Sequence, residues 1–231
     1  MKVLQVGMLI PWVNTAMEEE IPNLVYSNIG LHWSRLRPNI LPMNGHDTSY
    51  LESMLSSIPD ALSKFDGLDL HAIVLGCTSA CLIDSCSDLE ISAPYKRIKF
   101  ITALDAILNQ IEKIKAHRLI LFAPYDTHTI QAEVELLQSH GVDVIKSVSL
   151  AYEDEIRFIT STQIYEVFVK EYTPDYDAIL FSCTALYTLK AIDIIKRNLL
   201  IETPLLSSNI AISSTLNDLY CQHYSHMVKR E

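Results

Sequence analysis

One stretch occurs twice and restricts the fold more than any other feature of the chain. Ala72-Ile73-Val74-Leu75-Gly76-Cys77-Thr78-Ser79-Ala80 is matched by Ala178-Ile179-Leu180-Phe181-Ser182-Cys183-Thr184-Ala185-Leu186. Each is a short apolar run, a small residue, Cys-Thr and another small residue. The run does not alternate with polar residues, so it reads as a strand buried on both faces of a parallel sheet. Cys-Thr-small then falls where such a strand gives way to a helix. In open α/β sheets ligands bind outside the carboxyl ends of the strands. The chain therefore sets two thiols, 106 residues apart, where this architecture does its chemistry.

A second pair follows the same order. Val6-Gly7-Met8-Leu9-Ile10-Pro11-Trp12 and Leu119-Ile120-Leu121-Phe122-Ala123-Pro124-Tyr125 are apolar strands ending in Pro-aromatic, 113 residues apart. Similar offsets in the same order imply two homologous halves, each with a Pro-aromatic loop and then a Cys-Thr loop. A period this long marks a duplicated half-domain and not a solenoid.

Strands are expected from Lys2 to Ile10, from Ile29 to Arg37, through each Cys-Thr repeat, up to Ala123, from Val142 to Ser149, and briefly after Pro204. Between them lie amphipathic helices: Thr48 to Phe65 interrupted by Pro59, Ala103 to Lys115 capped by Thr102, Thr129 to His140 closed by Gly141, Ser161 to Tyr172, Leu186 to Asn198, and Ile212 to Tyr224. Ser92-Ala93-Pro94 and Ser207-Ser208-Asn209 read as loops. Asn14 or Thr15 caps a helix whose first turn holds Glu18, Glu19 and Glu20, a run that reads as a solvent-facing helix start. Alternating strands and helices mean a parallel sheet in each half.

The 231 residues carry 28 acids against 18 bases, a net charge of −10. That balance argues against a nucleic-acid surface. It permits an anionic substrate, because backbone N–H groups at helix starts bind anions without Lys or Arg. No apolar run approaches the ~18 residues that span a membrane, and the opening strand shows no cleavable signal pattern. A soluble, cytoplasmic protein is the expectation. Five cysteines, Cys77, Cys81, Cys86, Cys183 and Cys221, are an odd count that reads as reduced thiols. Cys77, Cys81 and Cys86 fit no zinc spacing and no His follows them at ligand distance, so no metal is expected. Cys81 and Cys86 read as core or surface thiols, and Cys221 as packing in the last helix.

Two Cys-Thr loops on related half-domains can face each other across a cleft. A thiol at a strand-to-helix turn is expected to have its pKa lowered by backbone N–H groups. The hydroxyls of Thr78, Ser79 and Thr184, with the N–H groups of these loops, Ala185 included, can hold a carboxylate. One thiolate and one thiol on opposite faces of a carbon can remove a proton on one side and add it on the other. They can also add and eliminate across a double bond, one Cys attacking and the other managing the proton. Neither route needs a cofactor. Asn14 reads either as a turn or cap residue or as an amide for a substrate carboxylate. Tyr125, in the matching loop, offers a hydroxyl to an oxyanion or packs as a ring. His128 reads as an exposed helix-start residue and His32 as a structural hydrogen-bonding group.

The stretch from Gly7 to Glu18, with Pro11-Trp12-Val13-Asn14-Thr15-Ala16-Met17-Glu18 at its end, resembles the Pro-x-x-Asn-Thr-x-Met-Glu opening of maleate cis-trans isomerases. These belong to the cofactor-independent aspartate/glutamate racemase superfamily, with arylmalonate decarboxylase and hydantoin racemase as relatives. Cys77-Thr78-Ser79 and Cys183-Thr184-Ala185 resemble that family's two cysteine motifs, Ala123-Pro124-Tyr125 its Thr-Pro-Tyr, and Ser207-Ser208-Asn209 its late Ser-Asn loop. The similarity covers nearly the whole chain.

The resemblance implies an α/β fold of two pseudo-symmetric Rossmann-like lobes with parallel sheets and the active site in the cleft between them. Residues 1–100 would form the N-terminal lobe, completed by 206–231, and residues 101–205 the C-terminal lobe. It implies Cys77 as nucleophile on an alkene, Cys183 as proton donor and acceptor, and Asn14 and Tyr125 as carboxylate ligands. It also implies a binding Asn after the strand ending near Leu150, where this chain has Ala151-Tyr152-Glu153-Asp154-Glu155. A carboxylate there repels a second substrate carboxylate, and Trp12-Val13 replaces a small Ser-Ser pair. Glu153 and Trp12 are thus expected to shape substrate choice. Arylmalonate decarboxylase keeps only the second cysteine, so Cys77 counts against decarboxylation; amino-acid racemases have Gly-richer opening loops. The expected activity is a cofactor-free isomerisation of a small carboxylate, most like maleate to fumarate. Racemisation or epimerisation of a small acid is the enzymatic alternative, and a catalytically silent carboxylate binder the non-enzymatic one. A homodimer or higher homo-oligomer is left open.

Overall fold

In this computed structural model residues 4–40, 48–83, 95–150 and 156–228 are described. Among them, two four-stranded parallel sheets carry the fold. The first is built from β1 (Leu4–Pro11), β2 (Ile29–Leu36), β3 (Ala72–Leu75) and β4 (Lys99–Thr102), in the order β2-β1-β3-β4. The second is built from β5 (Arg118–Ala123), β6 (Asp143–Ser149), β7 (Ala178–Phe181) and β8 (Leu205–Ser207), in the order β6-β5-β7-β8. The two orders are the same, as a duplication requires. The helices are α1 (Ala16–Glu20), α2 (Thr48–Leu55), α3 (Ile58–Ser63), α4 (Ala103–Lys113), α5 (Thr127–Ser139), α6 (Ser161–Glu171), α7 (Thr188–Asn198) and α8 (Ser208–Val228). No described helix is long and apolar enough to cross a membrane.

The duplication reaches down to single hydrogen bonds. β3 and β7 are the inner strands that carry the repeats, and both are buried throughout, in keeping with their unbroken apolar runs. In the first sheet Leu9 pairs with Leu75, and Gly76 N–H then donates to Leu9 O at 2.8 Å. In the second Phe122 pairs with Phe181, and Ser182 N–H donates to Phe122 O, also at 2.8 Å. Each sheet thus holds the small residue before the cysteine, and each cysteine is the next residue out.

β4 is an element that the sequence pattern does not signal. It is an edge strand of four residues of which only Ile101 is buried. It runs directly into α4, whose Thr102 accepts from Asp105 N–H in a capping box. In the second half β8 likewise runs directly into α8, so Ser208 and Asn209 open a helix and are not the loop expected of them. α4 and α8 pack on each other between the sheets. Elsewhere Pro59 sits in the first turn of α3, where its missing N–H costs nothing, and the helix is interrupted before it by a turn at Ser56 and Ser57.

Alternate residues of β1 face different cores. Leu4, Val6, Met8 and Ile10 join a continuous apolar core that runs through α4 and α8 into the second sheet, while Leu9 joins a smaller core under α2 and α3. The two halves therefore share their largest core.

Candidate functional site

The two Cys-Thr loops meet. Ser208, the first residue of α8, joins them: its Oγ accepts from Cys183 N–H at 3.1 Å and bonds Thr78 Oγ1 at 3.2 Å. Thr184 reaches back the other way, donating to Gly76 O at 2.9 Å. Asn14 completes the junction from the opening loop. Its Nδ2 donates to Thr184 Oγ1 at 3.1 Å and its Oδ1 accepts from Met17 N–H at 3.2 Å. The two readings of Asn14 are thus compatible: the carbonyl end caps α1, and the amide end, which carries two donors, faces the junction.

Cys77 and Cys183 are 5% and 6% exposed. Burial pushes the Cys77 thiol up to about 11, against opposing hydrogen bonds from the Ser79 hydroxyl, whose Oγ is 3.5 Å from Sγ, and from Ala80 N–H. Burial pushes Cys183 up to about 12, against the Tyr125 hydroxyl and Ala185 N–H, with the charges of Cys77 and Glu133 pushing the same way. This corrects the expectation of lowered thiol pKa values. Cys77 is followed at once by a 3-10 turn, Ser79–Leu82, and α7 starts only at Thr188, so neither thiol sits on an α-helix N-terminus able to outweigh its desolvation. Tyr125 is fully enclosed, and burial, followed by the charges of Cys183 and Glu133, holds its phenol well above the ordinary value.

Cys183 has φ +131°, a backbone conformation that L side chains rarely adopt. Strain of this kind persists where the surroundings over-determine a residue, and it clusters at working sites. Here the bonds from Ser182 N–H to β5 and from Cys183 N–H to Ser208 hold the turn. Cys77 is not among the residues with positive φ.

Trp12 is half-buried at the end of β1. Its indole N–H bonds the oxygen of Tyr50, a buried tyrosine whose phenol is raised by burial and by the charge of Cys77. Arg37 lies over the indole ring, 5.8 Å from its centroid. Glu153 and Asp154 lie outside the described residues, as do Cys86 and the Ser92-Ala93-Pro94 loop.

The acidic run of α1 departs from its expected role. Glu20 is buried and reaches into the other lobe. It accepts from Leu189 N–H at 2.8 Å, from Thr188 Oγ1 at 3.2 Å and from Asn209 Nδ2 at 2.8 Å. It thereby caps α7, and burial raises its carboxyl above the ordinary value despite those three donors. Glu19 accepts from the Tyr187 hydroxyl at 2.9 Å, which also bonds Thr15 Oγ1 at 2.8 Å. The run latches one half to the other. Helical periodicity does not reveal this, because the partners are ~170 residues away in sequence.

Tyr50 and Glu133 are site-region residues that the sequence does not signal; Ser208 and Asn209 are signalled only as the late Ser-Asn motif, and Glu20 only as part of an acidic helix start. His128 is exposed and His32 bonds Gln5 at 2.7 Å, as expected of each. Cys81 is half-buried with its thiol on the Cys77 carbonyl, whereas Cys221 is exposed and not packed. No group of His, Cys, Asp and Glu suited to a metal occurs among the described residues.

Glu133 supplies a pH-dependent prediction. Its folded carboxyl is pushed to about 7 by burial, from an ordinary value of 4.5. The folded state therefore holds a proton that the unfolded state has released. Its contribution is full below about 4.5 and declines by about 3 kcal/mol as pH rises to about 7. Thermal melts across that window should fall more steeply for wild type than for Glu133→Gln.

The fold is shared with solved structures of low sequence identity. Maleate cis-trans isomerase from Nocardia farcinica, bound to TRIS, superposes with a TM-score of 0.79 at 18% identity, over 93% of this chain and 91% of that one. Maleate isomerase from Pseudomonas putida gives 0.77 at 21% identity, over 94% and 93%. Arylmalonate decarboxylase gives 0.68 at 19% identity, over 90% and 88%. No curated protein matches at the level of sequence. These likenesses define the class, a two-lobed α/β fold with a parallel sheet in each lobe. A sequence model of the arylmalonate decarboxylase family matches residues 95–219, and the chain belongs to that family.

Proposed function

We propose that the protein is a cofactor-independent isomerase of a small unsaturated carboxylate, with Cys77 and Cys183 as its reacting groups. The observation that carries this is the meeting of two matched thiols in one buried junction, bridged by Ser208 and overlooked by Tyr125. Membership of the family leaves decarboxylation as a second reading, with Cys183 alone delivering a proton. The presence of Cys77 at the junction favours isomerisation.

Charge assigns the roles. Cys77 faces the Ser79 hydroxyl and Ala80 N–H, whereas Cys183 also faces the Glu133 carboxyl. A thiolate is better placed at Cys77 and a thiol at Cys183. Cys77 Sγ bonds one alkene carbon, and the displaced π pair takes the proton of Cys183 at the other carbon. The former double bond rotates as a single bond. Cys183 thiolate then removes a proton, the double bond re-forms, and the carbon–sulfur pair returns to Cys77. The Asn14 amide, the Thr78, Ser79 and Tyr125 hydroxyls and Ala185 N–H hold the substrate carboxylate, while Thr184, whose hydroxyl proton goes to Gly76 O, orients the Asn14 amide. The Nocardia isomerase, captured in a mutant with a covalently bound succinylcysteine intermediate, supports such an addition.

Proton NMR of small mono- and dicarboxylates incubated with the protein in D2O tests the reading. Cis-trans conversion is the expected result. Loss of carboxylate with deuterium uptake would favour the decarboxylase, and α-proton exchange alone a racemase. No turnover of any of them, with binding retained after alkylation of Cys77, would indicate a carboxylate binder.

Substrate choice follows from Trp12 and the 151–155 loop. Trp12 is larger than the residue it replaces in the family's opening motif, and Glu153 or Asp154, if it faces the cleft where the resemblance implies a binding Asn, repels a second substrate carboxylate. Maleate should be turned over weakly and a mono-acid or amide-bearing analogue better. Glu153→Asn or Asp154→Asn should raise maleate turnover. Efficient wild-type maleate turnover that neither variant improves would show that the loop does not select.

A further inference from the structure

Glu133, a carboxyl group on α5 behind the second Cys-Thr loop, enters the mechanism above only as a charge facing Cys183. It is 2% exposed. Ser182 Oγ donates to its Oε1, and its Oε2 has no partner among the described residues. No ion pair among the described residues involves it. The groups that feel its charge are Tyr125, just past β5, and Cys183, just past β7. Of the other elements packed on α5, β6 carries Lys146, paired with Glu171, and Asp143, which is exposed. The Ser79–Leu82 turn carries Cys81, whose thiol is on the Cys77 carbonyl.

A carboxyl in such a place costs folding energy that an apolar residue would not. Its single bond is to the residue before Cys183, on the turn whose φ is +131°. We propose that Glu133 is a positioning residue for Cys183: through Ser182 it anchors the strained turn, and its charge, when present, keeps the proton on the thiol. The proposal rests on the reading of Cys183 as proton donor. A donor must not lose its proton to solvent before substrate arrives. Once the proton has been given, the nearby carboxylate makes the thiolate a stronger base for the return step. Ionisation of Glu133 near neutrality, at about 7, puts this control in the working range.

The test needs no substrate, so its outcome is separate from the NMR experiment. The full chain, wild type and Glu133→Gln, is treated with methyl methanethiosulfonate from pH 5.5 to 9, and modification is read by mass spectrometry at the peptide containing Cys183. Gln keeps an acceptor for Ser182 and removes the charge. At pH 8.5 Cys183 should react about tenfold faster in Glu133→Gln, the effect of one pKa unit. At pH 5.5, where both side chains are neutral, the rates should agree within about twofold. Wild type alone gives a second reading that does not depend on the variant folding. The logarithm of its rate should rise with pH, flatten near pH 7 as Glu133 ionises, and rise again. A straight line of unit slope through pH 7, or a variant-to-wild-type ratio that does not change with pH, overturns the proposal.

Discussion

Cys77→Ser and Cys183→Ser should each lower kcat on the isomerised substrate by about three orders of magnitude or more, the scale of removing a nucleophile or its proton partner. The two losses should not add. A serine at position 77 is too weak a nucleophile to attack the alkene, and a serine at 183 too weak an acid to protonate the adduct, so either change stops the same cycle. The double variant should be no slower than the worse single one. Both replacements are nearly isosteric and Cys183 N–H keeps its bond to Ser208, so the melting temperatures should stay close to wild type. Near-normal turnover by either variant would rule out the two-thiol cycle.

Glu20→Ala should be the most damaging single change to stability outside the apolar core. It strips the acceptor from Leu189 N–H, the Thr188 hydroxyl and the Asn209 amide in one step. Leaving buried donors without partners costs about 1–3 kcal/mol each when water cannot reach them. With partial rehydration a net loss of about 3 kcal/mol is expected, or roughly 6–12 °C in melting temperature for a chain of this size. Glu19→Ala, which removes an exposed carboxylate from the same helix, should cost less than about 1 kcal/mol. Equal effects from the two would show that Glu20 does not hold the halves together.

The sheets and the placing of both cysteines were legible because they rest on local apolar runs and on a repeat. Those signals need no partner to be seen. β4 was not, since a four-residue edge strand with one buried side chain leaves almost no pattern. The start of α8 was not, since Ser and Asn at positions 208 and 209 favour a loop locally and are held in a helix by bonds to the distant Thr78, Cys183 and Glu20. The sign of the thiol pKa shifts was missed for a related reason. A strand-to-turn position suggests N–H donors, but desolvation depends on what closes over the thiol: α5 of the second half packs on the turn after Cys77, and Tyr125 lies against Cys183. What the sequence concealed was mostly what one half does to the other.

The bridging role of Ser208 also bears on how the protein is made. Both thiols are synthesised before the hydroxyl that ties their loops together, which follows Cys183 by 25 residues. At ~5–20 residues per second that interval is a few seconds on the ribosome. During it the nascent chain holds both cysteines without the helix that packs between the sheets. Until α8 has docked, the two Cys-Thr loops can be joined through Thr184 and Asn14 but not through the Ser208 bridge.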